Sequence, residues 1–391
     1  MKKKLAILGA TETMGAHALE IVAKHPGNFA IEALTTFDNA DKIIRQAKAF
    51  QPNTIVVIDE KAHDKVKNAL SRTDIKVFCG QEALCDLVSW TSIDMVLVAT
   101  VGFDSIRPTL AALKAKKTVA VSNKEILAAA GEAIRKTALE NEAVLLPASR
   151  ALSAVFQSLI GEANRDISKI TLMASGGPFL DRKPNYLVNV KKDHALQHPN
   201  QNIFTDDKTS IDASTLMGKG LEMIAARAMF NLQNDQLEVI IHPQSVIQSM
   251  VQLKDGSIKT QIGLPDIHVP LLYALSFPER LVDDHQAFPF NEYHKLTFDQ
   301  PDYKTFRNLK LAQEAMATGH NAPCILNAAN EVVVQAFLNN RVGFLEMSDM
   351  IAEALQQIPI IENPSLEDLE HTDEETRKLT LTLTKNSQLY N

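Results

Sequence analysis

The sequence predicts an α/β protein: a doubly wound parallel-sheet nucleotide-binding domain, then an α+β central domain and a C-terminal helical domain. Apolar segments of strand length alternate with helical patterns through the first part of the chain. A length of 391 residues exceeds what one ordinary hydrophobic core holds. The C-terminal part is helical by its apolar spacing. We therefore expect a Rossmann-like domain at 1–149, a central domain at 150–280, a linker at 281–301 and a helical domain at 302–391.

The strands of the first domain are predicted from short, continuous apolar segments bounded by turn residues. They are expected at 4–9, 30–37, 54–58, 76–78, 94–100, 118–123 and 143–148, with helices starting near His17 and covering 40–49. Folds of this kind bind ligands at the carboxyl ends of their strands. The turn after the first strand is therefore the first place to look for a cofactor.

The rest of the chain is predicted to contain a second set of strands and then helices. A strand is expected at 170–179, antiparallel strands at 237–251 and 258–263 with a hairpin turn at Asp255-Gly256, and helices at 327–338 and 372–383. The acidic stretch 362–376 is interpreted as a solvated connection between helices.

Composition narrows the functional class. Hydrophobic residues make up 45% and charged residues 22%, as in an ordinary soluble protein. A net charge of -7 argues against a general nucleic-acid binder and gives no membrane-surface signal. No segment is long and apolar enough to span a bilayer, and the first apolar run leads into a glycine turn, which is typical of a strand and not of a signal peptide. The 3 cysteines lack metal spacing, which favours a reducing cytoplasm.

The stretch from Lys208 to Glu222 combines small polar residues with an apolar helical pattern that follows at once. We expect a loop entering a helix start, where free N–H groups and the helix dipole favour an anion such as phosphate. The alternative is an ordinary capped helix. Glu222 has three open roles: to cap the helix, to pair with Lys219, or to bind a metal.

Several motifs together resemble one enzyme family along nearly the whole chain. They are SNKE at 122–125, ASGGPF at 174–179, HPN at 198–200, KTSIDASTLMGKGLE at 208–222, HPQSVIQSMV at 242–251 and NAANEVVVQAFL at 327–338. The chain resembles 1-deoxy-D-xylulose 5-phosphate reductoisomerase. That resemblance implies a cytoplasmic homodimer, with NADPH and a divalent metal, that rearranges and reduces its substrate to 2-C-methyl-D-erythritol 4-phosphate for isoprenoid precursor synthesis.

The resemblance also implies the cofactor-binding positions, which are Gly9, Thr11, Thr13, Met14, Gly15, Asn39, Asn123 and Lys124. Two nearby residues are expected to weaken the binding of NADPH. Glu12 replaces the middle glycine of the turn and directs negative charge toward the pyrophosphate. Asp38 would repel a 2′-phosphate, so NAD is no less plausible than NADP. The alternatives are a plain strand-to-helix turn that uses its glycines for packing, and Asp38 as the N-cap of the next helix.

The metal site implied by the family is altered in this chain. Ser149 and Ala151 stand where the family has its aspartate and first glutamate, so Glu222 is the only acidic ligand left. Mg²⁺ and Mn²⁺ prefer several carboxylate oxygens. Arg150 would place a fixed cation there instead, or would simply neutralise Glu222. The candidate catalytic residues are therefore Lys124, Glu222 and Arg150.

The phosphate site implied by the family is partly kept. Ser175, His198 and Lys219 match family positions, and Ser214 is a candidate substitute for the hydroxyl lost at Ala213. A small phosphorylated ligand is therefore expected as the partner, with no nucleic acid and no membrane.

Two further motifs carry predictions of their own. The segment between Asn200 and Lys208 corresponds to a family lid, with Gln201 in place of a tryptophan and Phe204 as a candidate cover. His242 is interpreted as a structural histidine in the sheet that the family uses for dimerisation.

The substitutions gather at positions of function, whereas the scaffold motifs match. We expect the family reaction to be impaired or lost, with a binding or regulatory role in its place. The alternatives are a metal-free oxidoreductase or isomerase acting on a small phosphorylated ligand, and the family reaction carried out by a rebuilt site.

Overall fold

A computed structural model describes residues 2–197, 206–284 and 287–387. The chain divides into two compact units. The first comprises Met1–Ile126, Glu132–Ser149 and Ile267–Asp284, and the second comprises Leu127–Gly131, Arg150–Asp266 and His285–Asn391.

The strands fall into two sheets. They are β1 (Lys3–Leu8), β2 (Phe29–Thr36), β3 (Thr54–Val57), β4 (Lys76–Cys79), β5 (Met95–Val98), β6 (Thr118–Val121), β7 (Leu145–Pro147), β8 (Ile167–Ala174), β9 (Leu237–Ile241), β10 (Ile247–Leu253) and β11 (Ile258–Ile262).

The helices are named in chain order. They are α1 (Thr13–Lys24), α2 (Ala40–Phe50), α3 (Glu60–Ala69), α4 (Gly80–Leu87), α5 (Ile106–Lys114), α6 (Lys124–Glu140), α7 (Arg150–Leu159), α8 (Pro184–Leu187), α9 (Lys192–Leu196), α10 (Asp207–Ser214), α11 (Met217–Phe230), α12 (His268–Ser276), α13 (Arg307–Thr318), α14 (Ala322–Leu338), α15 (Glu346–Gln357) and α16 (Leu366–Lys385). Among the helices of the described residues, none combines the length and the apolar character needed to cross a bilayer.

The first unit is built on a parallel sheet of seven strands in the order β4-β3-β2-β1-β5-β6-β7. The central strands β1 and β5 are apolar almost throughout and buried on both faces, as parallel strands covered by helices must be. The α/β prediction is confirmed. The strand order reverses between β1 and β5, and such a switch point is where folds of this kind bind nucleotides.

Residues 267–284 belong to the first unit, although the sequence analysis assigned most of them to the central domain. The reason is packing: α12 contacts α1 and β7. Lys3 Nζ also donates to the carbonyl oxygens of Leu275 (2.8 Å) and Phe277 (3.1 Å).

The second unit contains a four-stranded sheet in the order β11-β10-β8-β9. Strands β10 and β11 form the predicted antiparallel hairpin around Asp255-Gly256. The prediction for 237–251 was wrong in one respect. This segment forms two strands, and β9 pairs in parallel with β8, whereas β10 pairs with the other edge of β8 in the antiparallel direction.

The C-terminal helices α13 to α16 pack on one another, as their helical pattern predicted, and they belong to the same unit as residues 150–266. The interpretation of 362–376 as a connection was wrong. Most of that stretch lies in α16, where Ser365 accepts a hydrogen bond from the Asp368 N–H as the N-cap. Leu369, Thr372 and Thr376 are buried, so one face of this acidic segment is part of the core.

The loop expected at the start of Lys208–Glu222 was wrong, because Asp207–Ser214 forms α10, whereas the helix expected to follow the loop is present as α11. Helix α10 ends at Ser214 and α11 starts at Met217, with Leu216 in the left-handed conformation (φ 61°) between them. Leu216 is only 2% exposed, so burial of its side chain stabilises a backbone conformation that non-glycine residues rarely adopt.

Candidate functional site

The turn after β1 has the close backbone contacts of a dinucleotide-binding turn. Gly9 has φ 77°, and a Cβ there would lie 2.8 Å from the backbone nitrogen of Thr100, just beyond β5. A Cβ on Gly15 would lie 2.2 Å from the Gly9 carbonyl oxygen. Both glycines are therefore needed for strand and helix to pack, and the turn lies at the switch point of the sheet.

Glu12 occupies the N-cap position of α1 but does not cap the helix with its side chain. Glu12 is half-buried, and its backbone N–H donates a hydrogen bond to the Gly9 carbonyl oxygen (3.0 Å). A pyrophosphate at this turn would use the helix N-terminus. The negative charge of a carboxylate at the same helix end would repel the pyrophosphate. Thr13 and Met14 open the helix and are half-buried.

Two side chains of α2 reach the same turn, which the sequence analysis missed. Lys42 Nζ donates to the Thr11 carbonyl oxygen, and Gln46 Nε2 donates to the Ala10 carbonyl oxygen, both at 2.6 Å. The Thr11 hydroxyl in turn lies 2.7 Å from that of Thr36. Lys42 therefore brings a cation to the turn that carries Glu12. Because its partner is a backbone carbonyl, no residue pattern marks it.

At the end of β2, the alternative interpretation of Asp38 as the N-cap of the next helix was wrong. The N-cap of α2 is Asn39, whose side chain accepts a hydrogen bond from Lys42 N (3.1 Å), and Asp38 is exposed. The exposed carboxylate remains available to repel a 2′-phosphate.

Asn123 and Lys124 open α6 in the first unit. The Asn123 side chain caps the helix by accepting from Ile126 N (3.1 Å) and donates to the carbonyls of Thr100 (2.8 Å) and Gly102 (3.1 Å). This network fixes the loop after β5. Lys124 Nζ lies 3.6 Å from Glu125 Oε1, and its side chain is largely buried.

In the second unit, Arg150 begins α7 and Ala151 follows it, only 1% exposed. The pKa of Arg150 is lowered because burial removes the guanidinium from water, and the charges of Glu222 and Asp266 partly oppose this shift. A guanidinium stays protonated at any physiological pH. Arg150 is therefore a fixed, half-buried cation near Glu222.

Of the three roles left open for Glu222, the structure has the ion pair. Lys219 Nζ lies 2.5 Å from Glu222 Oε2, one turn away on α11, and both side chains are mostly buried (13% and 21% exposed). Between them, Gly220 faces α13, where a Cβ would lie 2.3 Å from the Cβ of Ala312.

These residues do not fit a hard divalent cation. Mg²⁺ and Mn²⁺ require several oxygen ligands, with carboxylates supplying the charge. Ala151 offers no ligand atom, and the Glu222 carboxylate is bound by Lys219 beside a second cation, Arg150. Across the described ranges, the one cluster of three potential metal-binding His, Cys, Asp or Glu side chains lies elsewhere, in the first unit.

The loop after β8 brings Ser175 to the junction of α10 and α11. A Cβ on Gly177 would lie 2.8 Å from the Ala213 carbonyl oxygen, so this loop packs on the end of α10. Ser175 is half-buried there. Ser214 is different, because it is fully buried and its hydroxyl donates to the Ile211 carbonyl (2.8 Å). His198, Gln201 and Phe204 lie outside the described residues.

A buried carboxylate organises α10, and the sequence analysis missed it as well. Asp212 is 0% exposed, and its two oxygens accept from Lys208 Nζ and Asn330 Nδ2, each at 2.8 Å. This network ties α10 to α14.

His242 is fully buried in the second unit. Its Nδ1 lies 2.9 Å from the Thr297 carbonyl oxygen, and its ring stacks on Phe298 with centroids 5.0 Å apart. These contacts support the interpretation of a structural histidine.

Comparison with protein-family models gives three adjacent matches that together span most of the chain. Residues 5–131 match the 1-deoxy-D-xylulose 5-phosphate reductoisomerase model, 145–230 match its C-terminal domain model, and 262–379 match the DXP reductoisomerase C-terminal domain model.

Curated relatives agree over nearly the full length. The chain is 44% identical over 378 residues to 1-deoxy-D-xylulose 5-phosphate reductoisomerase of Bacteroides thetaiotaomicron, covering 97% of this chain and 96% of that protein. It is 42% identical over 379 residues to the enzyme of the same name from Porphyromonas gingivalis, covering 97% of each.

Solved structures agree in fold. The reductoisomerase from Zymomonas mobilis in complex with NADPH superposes with a TM-score of 0.92 at 32% identity, covering 98% of this chain and 100% of that one. A DOX-P reductoisomerase in complex with NADPH, fosmidomycin and magnesium gives a TM-score of 0.92 at 34% identity, covering 98% of each chain.

Proposed function

Because the chain belongs to the 1-deoxy-D-xylulose 5-phosphate reductoisomerase family, we propose that it keeps the family's ligand-binding framework while the metal-dependent reaction is impaired or lost. The fold and the scaffold motifs of the family are retained. The departures lie at the residues on which metal-assisted chemistry depends.

The observation that carries this proposal is the state of the metal position. Ala151 has no ligand atom and Glu222 is ion-paired with Lys219 at 2.5 Å, with Arg150 close by. The family's carbon-skeleton shift needs a Lewis acid on neighbouring substrate oxygens. An ion pair between side chains neutralises charge but leaves no open coordination position for a substrate oxygen.

The residues that remain suit a small phosphorylated ligand. Arg150 and Lys219 are cations in a mostly buried setting, and hydrogen bonds from such groups to phosphate are stronger than those between neutral groups. Ser175 adds a hydroxyl beside the junction of α10 and α11. We infer that a phosphate or other oxyanion competes with Glu222 for these cations.

A dinucleotide is the second expected ligand. The relative from Zymomonas mobilis is described with NADPH, and the contacts of Gly9 and Gly15 support the same kind of turn here. Glu12 and Asp38 weaken binding, whereas Lys42 offsets part of that charge from α2. When bound, the nicotinamide supplies a hydride. The turn residues bind and orient the cofactor.

The proposal is tested by NADPH oxidation with 1-deoxy-D-xylulose 5-phosphate and Mn²⁺ at high enzyme concentration, next to a family member with intact metal ligands. We expect a rate reduced by at least about 10³-fold, because several kcal/mol of metal-dependent stabilisation are missing. Circular dichroism establishes that the protein is folded. Turnover at an ordinary enzymatic rate would refute the proposal.

A second candidate function is a metal-independent oxidoreductase acting on another small phosphorylated ligand. The intact Gly9–Gly15 contacts and the retained Lys124 favour it. Oxidation of NADPH or NADH in the presence of a chelator, tested with a set of small phosphorylated carbonyl compounds, separates the two candidates. Turnover without metal supports the oxidoreductase, whereas dinucleotide binding without turnover leaves a binding or regulatory role.

We further infer a homodimer that pairs through the second sheet. The edge strand β11 exposes Ile258 (57%) and Ile262 (48%), and an unprotected apolar edge of this kind pairs readily with another copy. Light scattering is expected to give the mass of a dimer for the native chain and of a monomer for Ile262→Lys. A native monomer at micromolar concentration would contradict this inference.

A further inference from the structure

Two histidines and a glutamate converge in the first unit, away from the family's metal position. His17 and Glu20 lie three residues apart on α1, and His268 opens α12, 248 positions from Glu20. Glu20 Oε2 lies 3.2 Å from His17 Nδ1 and 3.1 Å from His268 Nε2. The two imidazole rings meet edge to face with centroids 4.6 Å apart.

We propose that His17, Glu20 and His268 form a binding site for a borderline divalent transition metal, with zinc as the reference ion. One ligand atom from each side chain lies within 4.8 Å of the others. Zinc with bond lengths of 2.0–2.1 Å separates tetrahedral ligand atoms by about 3.3 Å. The two contacts of Glu20 are already close to that separation, and the two imidazole nitrogens, which lie within 4.8 Å of each other, complete the triangle when their rings rotate toward the ion.

The charge and exposure of the cluster also suit a metal. Glu20 supplies one anionic oxygen ligand beside the two imidazole nitrogens, and the same oxygen, Oε2, faces both rings. The side chains of His17, Glu20 and His268 are 27%, 60% and 26% exposed, which leaves room for water as a fourth ligand.

The donor set selects the kind of metal. Two imidazoles and one carboxylate suit zinc, nickel, cobalt and copper, whereas magnesium prefers oxygen ligands and retains its water. A bound ion would link α1, whose N-terminus follows the dinucleotide turn, to α12, which comes from a distant part of the sequence. The expected role is therefore to stabilise the first unit.

The test uses the full chain without an affinity tag, freed of metal by a chelator. Calorimetric titration with zinc chloride is expected to show one zinc ion bound per chain. The midpoint temperature of thermal unfolding should rise, because zinc binds the folded state. His268→Gln and Glu20→Gln should each weaken zinc binding by at least about tenfold, since even partners outside the coordination shell are worth 10–100-fold. Cobalt should give a visible absorption band in the native chain that both variants lose.

The matched control is His63→Gln, because His63 pairs with Asp64 on α3 in the same unit (3.3 Å) but lies outside the cluster. It should bind zinc as the native chain does, and excess magnesium should not compete. If His268→Gln fails to fold without metal, His17→Gln replaces it. Unchanged zinc affinity in the cluster variants, or no stoichiometric binding by the native chain, would reduce the cluster to a hydrogen-bonded contact between two helices and overturn the proposal.

Discussion

The triple variant Ser149→Asp, Arg150→Ser, Ala151→Glu is expected to bind Mn²⁺ at least about 100-fold more tightly than the native chain. The substitutions add two carboxylates and remove one cation. Loss of a single partner outside the coordination shell already costs 10–100-fold in affinity, so a gain of two direct ligands should exceed that range. The signal of free Mn²⁺ in electron paramagnetic resonance measures the affinity directly.

Two controls show where the gained metal binds. Arg150→Ser alone removes the cation without adding a ligand, so it should give a much smaller gain. Adding Glu222→Gln to the triple variant should abolish most of the gain. Position 151 is only 1% exposed, so the apo triple variant should be destabilised, and Mn²⁺ should restore its thermal midpoint. No change in affinity would mean that the metal position has been assigned to the wrong residues.

Glu222→Gln is expected to lower the free energy of unfolding by about 2–3 kcal/mol. Removing one partner of a fully buried pair costs about 3–5 kcal/mol, because the remaining charge stays buried without compensation. The partial exposure of Lys219 (13%) and Glu222 (21%) reduces that figure, whereas the nearby Arg150 also loses one of its two acidic neighbours and keeps only Asp266. Urea unfolding followed by circular dichroism measures the change.

Glu162→Gln is the matched control for this prediction. It breaks the more exposed pair with Lys259 in the same unit (3.0 Å; 37% and 28% exposed) and should cost less than about 1 kcal/mol. Equal losses in the two variants would contradict the view that the Lys219–Glu222 pair is held in a desolvated setting.

The strands of the first unit could be predicted because each one is a continuous apolar segment, and burial on both faces requires that composition. Helix α10 could not be predicted in the same way, because its sequence is rich in small polar residues. Its buried carboxylate, Asp212, accepts a hydrogen bond from Asn330, which is 118 positions away in the chain. The buried face of α16, which includes Leu369 and Thr376, was not predicted, because the many acidic residues of this segment suggested full solvent exposure.

In the candidate site, features that depend only on residue type could be predicted, whereas features that depend on contacts between distant residues could not. Positions 149 and 151 are the metal positions that the family resemblance implies, and the absence of carboxylates there follows from the sequence alone, since serine and alanine lack them whatever their surroundings. The choice between the three roles of Glu222 required the position of Lys219. Lys42 was missed because it binds a backbone carbonyl, and the cluster of His17, Glu20 and His268 was missed because its members are distant in sequence.

The contact between Gly220 and Ala312 limits how this protein can evolve. Any side chain at 220 would collide with α13, so that position can change only together with 312. Lys219 and Glu222 on the same helix are constrained in a different way, because a change at either position breaks their ion pair. The C-terminal helices therefore fix the backbone from which both charged side chains project, and they limit the substitutions that a lineage can accumulate there.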